Sequence, residues 1–172
     1  MVKLNLPIDK NAIKNLHAGD SVLLSGTIYT ARDCAHKRLK NMIESGQSLP
    51  FDLHGAFIYY AGPCPAKPGY ASGSCGPTTS ARMDAFAPLL LDRGLGGMIG
   101  KGEMSAEVTE ALVRNSGVYF AAIGGAGATY GKAIVKSELV AFPELLSEAV
   151  RRLEVVDFPA VVATDCYGKS IY

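Results

Sequence analysis

Strand-like apolar segments alternate with helix-forming segments along this chain, and this alternation restricts the possible folds more than any other feature. Residues 21–30, SVLLSGTIYT, are rich in β-branched and aliphatic residues and predict a strand. Residues 31–44 follow directly, with apolar residues at three-to-four spacing that predict a helix ending near Gly46. Further strands are expected at 56–61, 97–100, 118–123 and 160–164, with 133–141 mainly extended. Alternating strands and helices predict an α/β sandwich.

The remaining helices are expected at 77–94, 105–115 and 144–152, with Pro88 kinking or splitting the first of them. The segment 62–77 holds four prolines and four glycines in sixteen residues, so it predicts irregular structure. A loop of this length inside one domain is usually functional or disordered. We expect it to be mobile in the chain alone, because such a segment lacks packing without a partner.

The length and composition fit one folded domain over residues 1–172. Hydrophobic residues make up 48% of the 172 residues and the net charge is +1, so there is no general electrostatic case for binding nucleic acid or an anionic membrane. The N-terminus has no secretory h-region, and charges or glycines interrupt every apolar stretch short of a membrane span. We therefore expect a cytoplasmic protein.

The four cysteines are too widely spaced for any C-x-x-C pair, which argues against zinc ribbons, ferredoxin-type clusters and thioredoxin-like sites. Free thiols and no metal site on this chain are expected. Residues 1–102 carry eleven Lys/Arg and seven Asp/Glu, a net +4, whereas 103–172 carry six and nine, a net −3. An anion site is therefore expected in the first 102 residues.

Three places carry residues suited to such a site. Arg32 lies at a strand-to-helix corner, which is a common position for binding groups in α/β sheets, although a solvated helix surface is the simpler interpretation. Thr78 and Arg82 follow the glycine-rich loop and would share a helical face, where Arg82 could hold a carboxylate bidentately; a helix cap is the alternative for the hydroxyl. Lys101 stands between two glycines after a buried strand, unless it points to solvent.

The stretch Gly124–Ala128 has a loose likeness to a dinucleotide-binding loop. No G-x-G-x-x-G or Walker motif is present, and no acidic residue follows at the spacing of a ribose partner. Close backbone packing is the better explanation of these glycines. Taken together, the residues predict a domain that presents Arg32, Arg82, Lys101 and hydroxyls at sheet ends, a pattern suited to small di-anionic substrates.

Six ordered motifs resemble the β subunit, or C-terminal domain, of iron–sulfur hydro-lyases, namely class I fumarase and L-tartrate dehydratase, and the resemblance covers about residues 19–165. These motifs are SGTIYTARDCAHKR at 25–38, YAGP at 60–63, GSCGPTTSARMD at 73–84, MIGKG at 98–102, GGAGA at 124–128 and VAFPE at 140–144. The resemblance implies a swivelling β/β/α domain with helices packed on a central mixed sheet. It also implies the reversible hydration of fumarate to malate.

In that family the [4Fe–4S] cluster belongs to a separate α subunit or N-terminal domain, so none is expected on this chain. The resemblance implies that the chain is inactive alone and assembles with a cluster-bearing α subunit, as α₂β₂. The general acid would then lie on that partner. Cys64 and Cys75 depart from the small residues typical of these loops.

Carried over by position, the resemblance makes Arg32, Thr78, Arg82 and Lys101 substrate-binding residues. Thr78 is the candidate base, and Arg32 the cation that would stabilise its alkoxide, because a threonine hydroxyl is a poor base at its ordinary pKa. Tartrate dehydration is the alternative reaction. A module that binds a small anion without chemistry is the alternative from another class, and nucleotide binding through Gly124–Ala128 is a third.

Overall fold

A computed structural model describes all residues, Met1–Tyr172, as seven strands, five α-helices and two 3-10 helices. The strands are β1 Val2–Leu6, β2 Ser21–Thr30, β3 Phe57–Tyr59, β4 Gly97–Gly100, β5 Val118–Ala121, β6 Ile134–Ala141 and β7 Val150–Thr164. The helices are α1 Lys10–Lys14, α2 Asp33–Glu44, α3 Ala87–Asp92, α4 Ala106–Asn115 and α5 Gly127–Ala133, and the 3-10 helices are Ser80–Met83 and Pro143–Glu148. None of these helices is both long and apolar enough to cross a membrane.

The strands form one mixed sheet that closes on itself. Its order is β1-β2-β3-β4-β5-β7-β6, and an additional antiparallel pairing of β2 with β7 completes a barrel. The strands β2, β3, β4 and β5 are parallel neighbours, so their carboxyl ends lie at the same rim. The expectation of helices packed on a mixed sheet is confirmed.

The alternation of side chains along the strands separates two cores. Phe57, Tyr59 and Phe120 point into the barrel with residues of β2 and β7. Ile58 and Tyr119, one position along, point outward and pack under α2, α3 and α4. A strand places successive side chains on opposite faces, so short strands that are buried on both faces read as continuous apolar runs.

Most of the expected elements are present, and two are corrected. Residues 144–152 are not one helix: a 3-10 helix ends at Glu148, and Val150 begins the long strand β7, of which only 160–164 was expected. The helix expected from Pro77 begins only at Ser80 as a 3-10 turn, and a separate α3 contains Pro88 in its first turn. Residues 62–77 contain no helix or strand, as expected.

Candidate functional site

The candidate residues come together at the rim where the parallel strands end. Arg32 follows β2 and precedes α2, and Lys101 follows β4. Between them, Pro77–Thr79 runs extended: Pro77 forms a bridge with Ala61 beyond β3, and Thr79 forms a parallel bridge with Lys101. Arg32, Thr78 and Lys101 therefore follow one another around one edge of the barrel.

Arg32 is held in a narrow space at this rim. A Cβ built on Gly62 would lie 3.2 Å from Arg32 Nη1 and 2.7 Å from the backbone oxygen of Ser147, so only glycine fits between them. The Arg32 Nε atom is buried and has no hydrogen-bond partner, and Glu148 Oε1 lies 3.9 Å from it. The guanidinium thus lies near the Glu148 carboxylate without forming a hydrogen bond to it, and its N–H groups remain able to bind an anion.

The side chain of His36 forms a hydrogen bond with the backbone of Arg32. Its Nδ1 atom lies 2.9 Å from the Arg32 carbonyl oxygen, and its ring stands edge-on to Tyr60 at 5.3 Å between centroids. The side chain is fully buried, and this burial lowers its pKa to about 4. The ring is therefore neutral at pH 7 and donates from Nδ1 to the carbonyl.

Thr78 is fixed through its backbone. Its amide donates to the carbonyl of Tyr60 at 2.6 Å, which holds it beside the end of β3. The residue is half-buried and lies outside any helix, so the expected helical face shared with Arg82 is wrong. Because Ala61 pairs with Pro77 and Gly62 contacts Arg32, Thr78 lies next to the segment that borders the Arg32 guanidinium.

Arg82 reaches the same rim from the 3-10 helix, but it is already paired. Its Nε and Nη2 atoms donate to the two carboxylate oxygens of Asp33 at 2.9 and 2.7 Å. Asp33 is the first residue of α2 and follows Arg32 directly, so the pair places Arg82 beside the Arg32 corner. The bidentate fork leaves Nη1 of Arg82 for another acceptor.

Among the three cations of this rim, Lys101 has no carboxylate partner, since it takes part in none of the ion pairs of the chain. Its backbone is anchored to Ser80, and its Cδ atom lies 3.7 Å from the position of a Cβ on Gly124, so its stem passes over the turn after β5. The residue is half-buried. A cation held in this way at a sheet end is available to a ligand.

The cysteines do not form a set that could hold an iron–sulfur cluster. All four are free: Cys34 and Cys64 are exposed, and Cys75 and Cys166 are buried. No three His, Cys, Asp or Glu side chains converge. Burial also raises the pKa of the Cys75 thiol to about 12, which opposes the thiolate that a cluster requires. This chain's residues therefore do not fit a [4Fe–4S] cluster, which the resemblance assigns to a separate subunit or domain.

Of the glycines at 124–128, Gly127 makes a close packing contact, whereas Gly125 faces open space. The amide of Cys75 donates to the carbonyl of Gly127 at 2.9 Å, and a Cβ on Gly127 would strike Ser74. Gly131, in the same short helix, similarly leaves no room against Gly73. These contacts fasten the loop before Thr78 to the turn after β5.

Several residues that border or support the rim were not singled out from the sequence. Glu148 lies in a segment expected to be helical, Tyr119 lies in an apolar strand, and Ser80 is a buried polar residue that appeared only within the motif at 73–84. Asp33 occurs in the sequence analysis only within the motif at 25–38. Its position directly after Arg32 was the one signal available, and its partner Arg82 lies 49 residues away.

Comparisons with known proteins agree with the motifs. The family model described as "Fumarase C-terminus" matches residues 1–172. The chain is 43% identical to fumarate hydratase 2 of Leishmania major over 99% of this chain and 31% of that protein. It is 44% identical to the anaerobic class I fumarate hydratase of Escherichia coli strain K12, over 87% of this chain and 28% of that protein.

A relative of similar length also matches. The chain is 40% identical to a protein of Methanocaldococcus jannaschii named putative L(+)-tartrate dehydratase subunit beta, over 96% of this chain and 88% of that one. By contrast, it spans about a third or less of the length of the fumarate hydratases above. Since the family model covers every residue of the chain, the chain belongs to the fumarase C-terminus family.

Proposed function

We propose that this chain supplies half of the active site of a hydro-lyase that acts on a four-carbon dicarboxylate, with fumarate hydration to malate as the reaction. The observation that carries the proposal is the convergence of Arg32, Thr78 and Lys101 at one rim, with Arg82 beside them. A diacid needs two cationic contacts, and three cations are available here. Tartrate dehydration is the second candidate, supported by the similarity to the named tartrate dehydratase subunit.

Each residue has a part in this chemistry. Arg82, through its free Nη1, and Lys101 bind the carboxylates of the substrate, and their charges offset the cost of removing those groups from water. Thr78 exchanges a proton with the β-carbon through its hydroxyl oxygen. The Arg32 guanidinium borders the Thr78 segment, and a nearby positive charge lowers the pKa of a hydroxyl and favours the alkoxide.

The other half of the pocket belongs to a partner. Of the six clefts on this chain, the five with volumes of about 210 to 550 Å³ are lined by residues other than Arg32, Thr78, Arg82 and Lys101. An open rim of cations becomes an enclosed site only when another surface covers it. We propose that a cluster-bearing α subunit provides this surface, the [4Fe–4S] group and the general acid, in an α₂β₂ assembly in the cytoplasm.

Reconstitution tests the division of labour. The purified chain alone should not hydrate fumarate, measured by the loss of ultraviolet absorbance of fumarate, and adding the reconstituted cluster-bearing subunit should restore turnover. Parallel assays with tartrate, followed as oxaloacetate, decide between the two substrates. Turnover by the isolated chain would refute the proposal.

Substitutions then distinguish catalysis from simple anion binding. Thr78→Ala in the assembled enzyme should abolish turnover and leave substrate binding nearly unchanged, because the arginines and the lysine remain. Thr79→Ala is the matched control, since Thr79 is the exposed neighbour on the same extended segment. Arg82→Ala should cost on the order of 2–5 kcal/mol of transition-state stabilisation through loss of a charged contact. Unchanged turnover in Thr78→Ala would favour the anion-binding module.

A further inference from the structure

Glycines flank Lys101 on both sides at the rim. It stands between Gly100 and Gly102, and Gly102 has a positive φ of 81°. Glycine loses more conformational freedom on folding than any other residue, so the two neighbours of Lys101 do little to restrict its backbone. A side chain that is to bind a substrate carboxylate must nevertheless be held in one place.

Ser80 holds the peptide groups of Lys101 from both sides. The Lys101 amide donates to Ser80 Oγ at 2.9 Å, and the Ser80 amide donates to the Lys101 carbonyl at 2.9 Å. Ser80 is fully buried although it is polar. A Cβ on Gly100 would collide with Ser80 Oγ, so the glycine at 100 is the space in which the serine hydroxyl sits.

Tyr119 extends this arrangement to the next residue. Its hydroxyl lies 2.8 Å from Ser80 Oγ and 2.7 Å from the Gly102 carbonyl oxygen. A carbonyl oxygen can only accept a hydrogen bond, so the Tyr119 hydroxyl donates its proton to the Gly102 carbonyl. The Ser80 hydroxyl accepts from the Lys101 amide and can donate its own proton to the Tyr119 oxygen. Burial raises the pKa of Tyr119, so the donor proton stays in place throughout the physiological range.

We propose that Ser80 and Tyr119 are positioning residues that clamp the backbone of Lys101 and so aim its ammonium group at the substrate. The inference rests on the proposed role of Lys101. Neither residue reaches the rim itself: both are fully buried, and both act through the Lys101 and Gly102 peptide groups. The hydrogen bonds of Ser80 and Tyr119 therefore restrict a backbone segment that its flanking glycines do not restrict.

Amide hydrogen exchange of the chain tests the clamp without any activity measurement. The Lys101 amide should be protected in the native chain and should exchange at least tenfold faster in Ser80→Ala and in Tyr119→Phe, because its acceptor is lost or loosened. Tyr59→Phe is the control: Tyr59 is an equally buried tyrosine whose hydroxyl donates to the Cys75 carbonyl inside the barrel. Equal Lys101 exchange in Tyr119→Phe and in the native chain would overturn the clamp.

A double-mutant cycle in the assembled enzyme tests whether the clamp acts through Lys101. Tyr119→Phe should lower kcat/KM about tenfold, as expected when a binding group is slightly misplaced. In a Lys101→Ala background the same substitution should have no further effect. If the two losses multiply, Tyr119 acts elsewhere and the inference fails. If Lys101→Ala alone leaves kcat/KM unchanged, the proposed role of Lys101 fails, whereas the exchange experiment still decides the clamp.

Should Ser80→Ala fail to fold, Tyr119→Phe keeps the test intact, because it removes one oxygen and leaves the aromatic ring in the core. Gly100→Ala gives a third perturbation that leaves both hydroxyls in the sequence and displaces Ser80 by collision. It should also speed Lys101 exchange. Native exchange rates in this variant would contradict the assigned geometry.

Discussion

Replacing Gly62 with alanine tests the close approach that holds Arg32 at the rim. The new Cβ would lie 2.7 Å from the backbone oxygen of Ser147, and Cβ contacts under 3.0 Å essentially do not occur, so the two segments must separate by at least about 0.3 Å. Because this atom belongs to the backbone, the strain cannot be relieved by a side-chain rotation.

The free energy of unfolding should therefore fall. Overpacking of this kind costs about 1–3 kcal/mol. The reduced freedom of the unfolded chain returns about 0.4–1 kcal/mol, and Gly62 has no positive φ that would add backbone strain. A net loss of about 1–2 kcal/mol is the expected result, measured by urea denaturation monitored by circular dichroism.

Gly76→Ala is the matched control in the same irregular segment. Its Cβ would meet nothing closer than Gly127 Cα at 3.6 Å, and its φ is also not positive. This variant should be as stable as the parent chain or slightly more stable. If Gly62→Ala proves as stable as Gly76→Ala, the packing of Ser147 and Arg32 against Gly62 is not as described. In the assembled enzyme, Gly62→Ala should also reduce turnover, because Arg32 moves with its neighbours.

Two further predictions concern α2. The pKa of buried His36 is about 4 in the folded chain and 6.5 when the ring is exposed, so the unfolded state binds more protons between these pH values. The free energy of unfolding should therefore fall by about 3 kcal/mol from pH 6.5 to pH 4, measured by urea titrations at several pH values. His36→Phe should lack this pH-dependent loss. An equal pH dependence in both chains would contradict the buried neutral ring. Asp33→Asn should lower the free energy of unfolding by less than about 1 kcal/mol, because the ion pair of Asp33 with Arg82 is exposed. In the assembled enzyme it should raise KM for the diacid, because Arg82 loses the carboxylate that orients it. An unchanged KM would mean that the bidentate pair with Asp33 does not orient Arg82.

The parallel part of the fold could be predicted from the sequence because its strands are rich in aliphatic, aromatic and β-branched residues. The strands at 21–30 and 97–100 have the bounds that their apolar runs predict. Most of β7 could not be predicted, since Pro159 within it donates no backbone hydrogen bond and proline is typical of strand edges and ends. Its pairing with β2 and β6 outweighs the helix-forming residues at 144–152.

The candidate site was predictable where it follows from strand ends and not where it depends on distant contacts. Arg32 and Lys101 directly follow parallel strands, so their shared rim is a consequence of topology. The Arg82–Asp33 pair and the Ser80–Tyr119 contact join residues 49 and 39 positions apart, and no local pattern predicts such contacts. The proposed roles of the four candidate residues await the experiments above.

The barrel cannot close during folding until β7 is available to pair with β2. The β2–β7 pairs join residues 123 to 140 positions apart, for example Tyr29 with Arg152 and Ser21 with Val161. On the ribosome, β2 is made before β7 and keeps one edge bare until β7 has been synthesised. Pairings between such distant segments make folding slow, and a bare strand edge attracts other chains. During synthesis, this edge is therefore where a chaperone would protect the chain from aggregation.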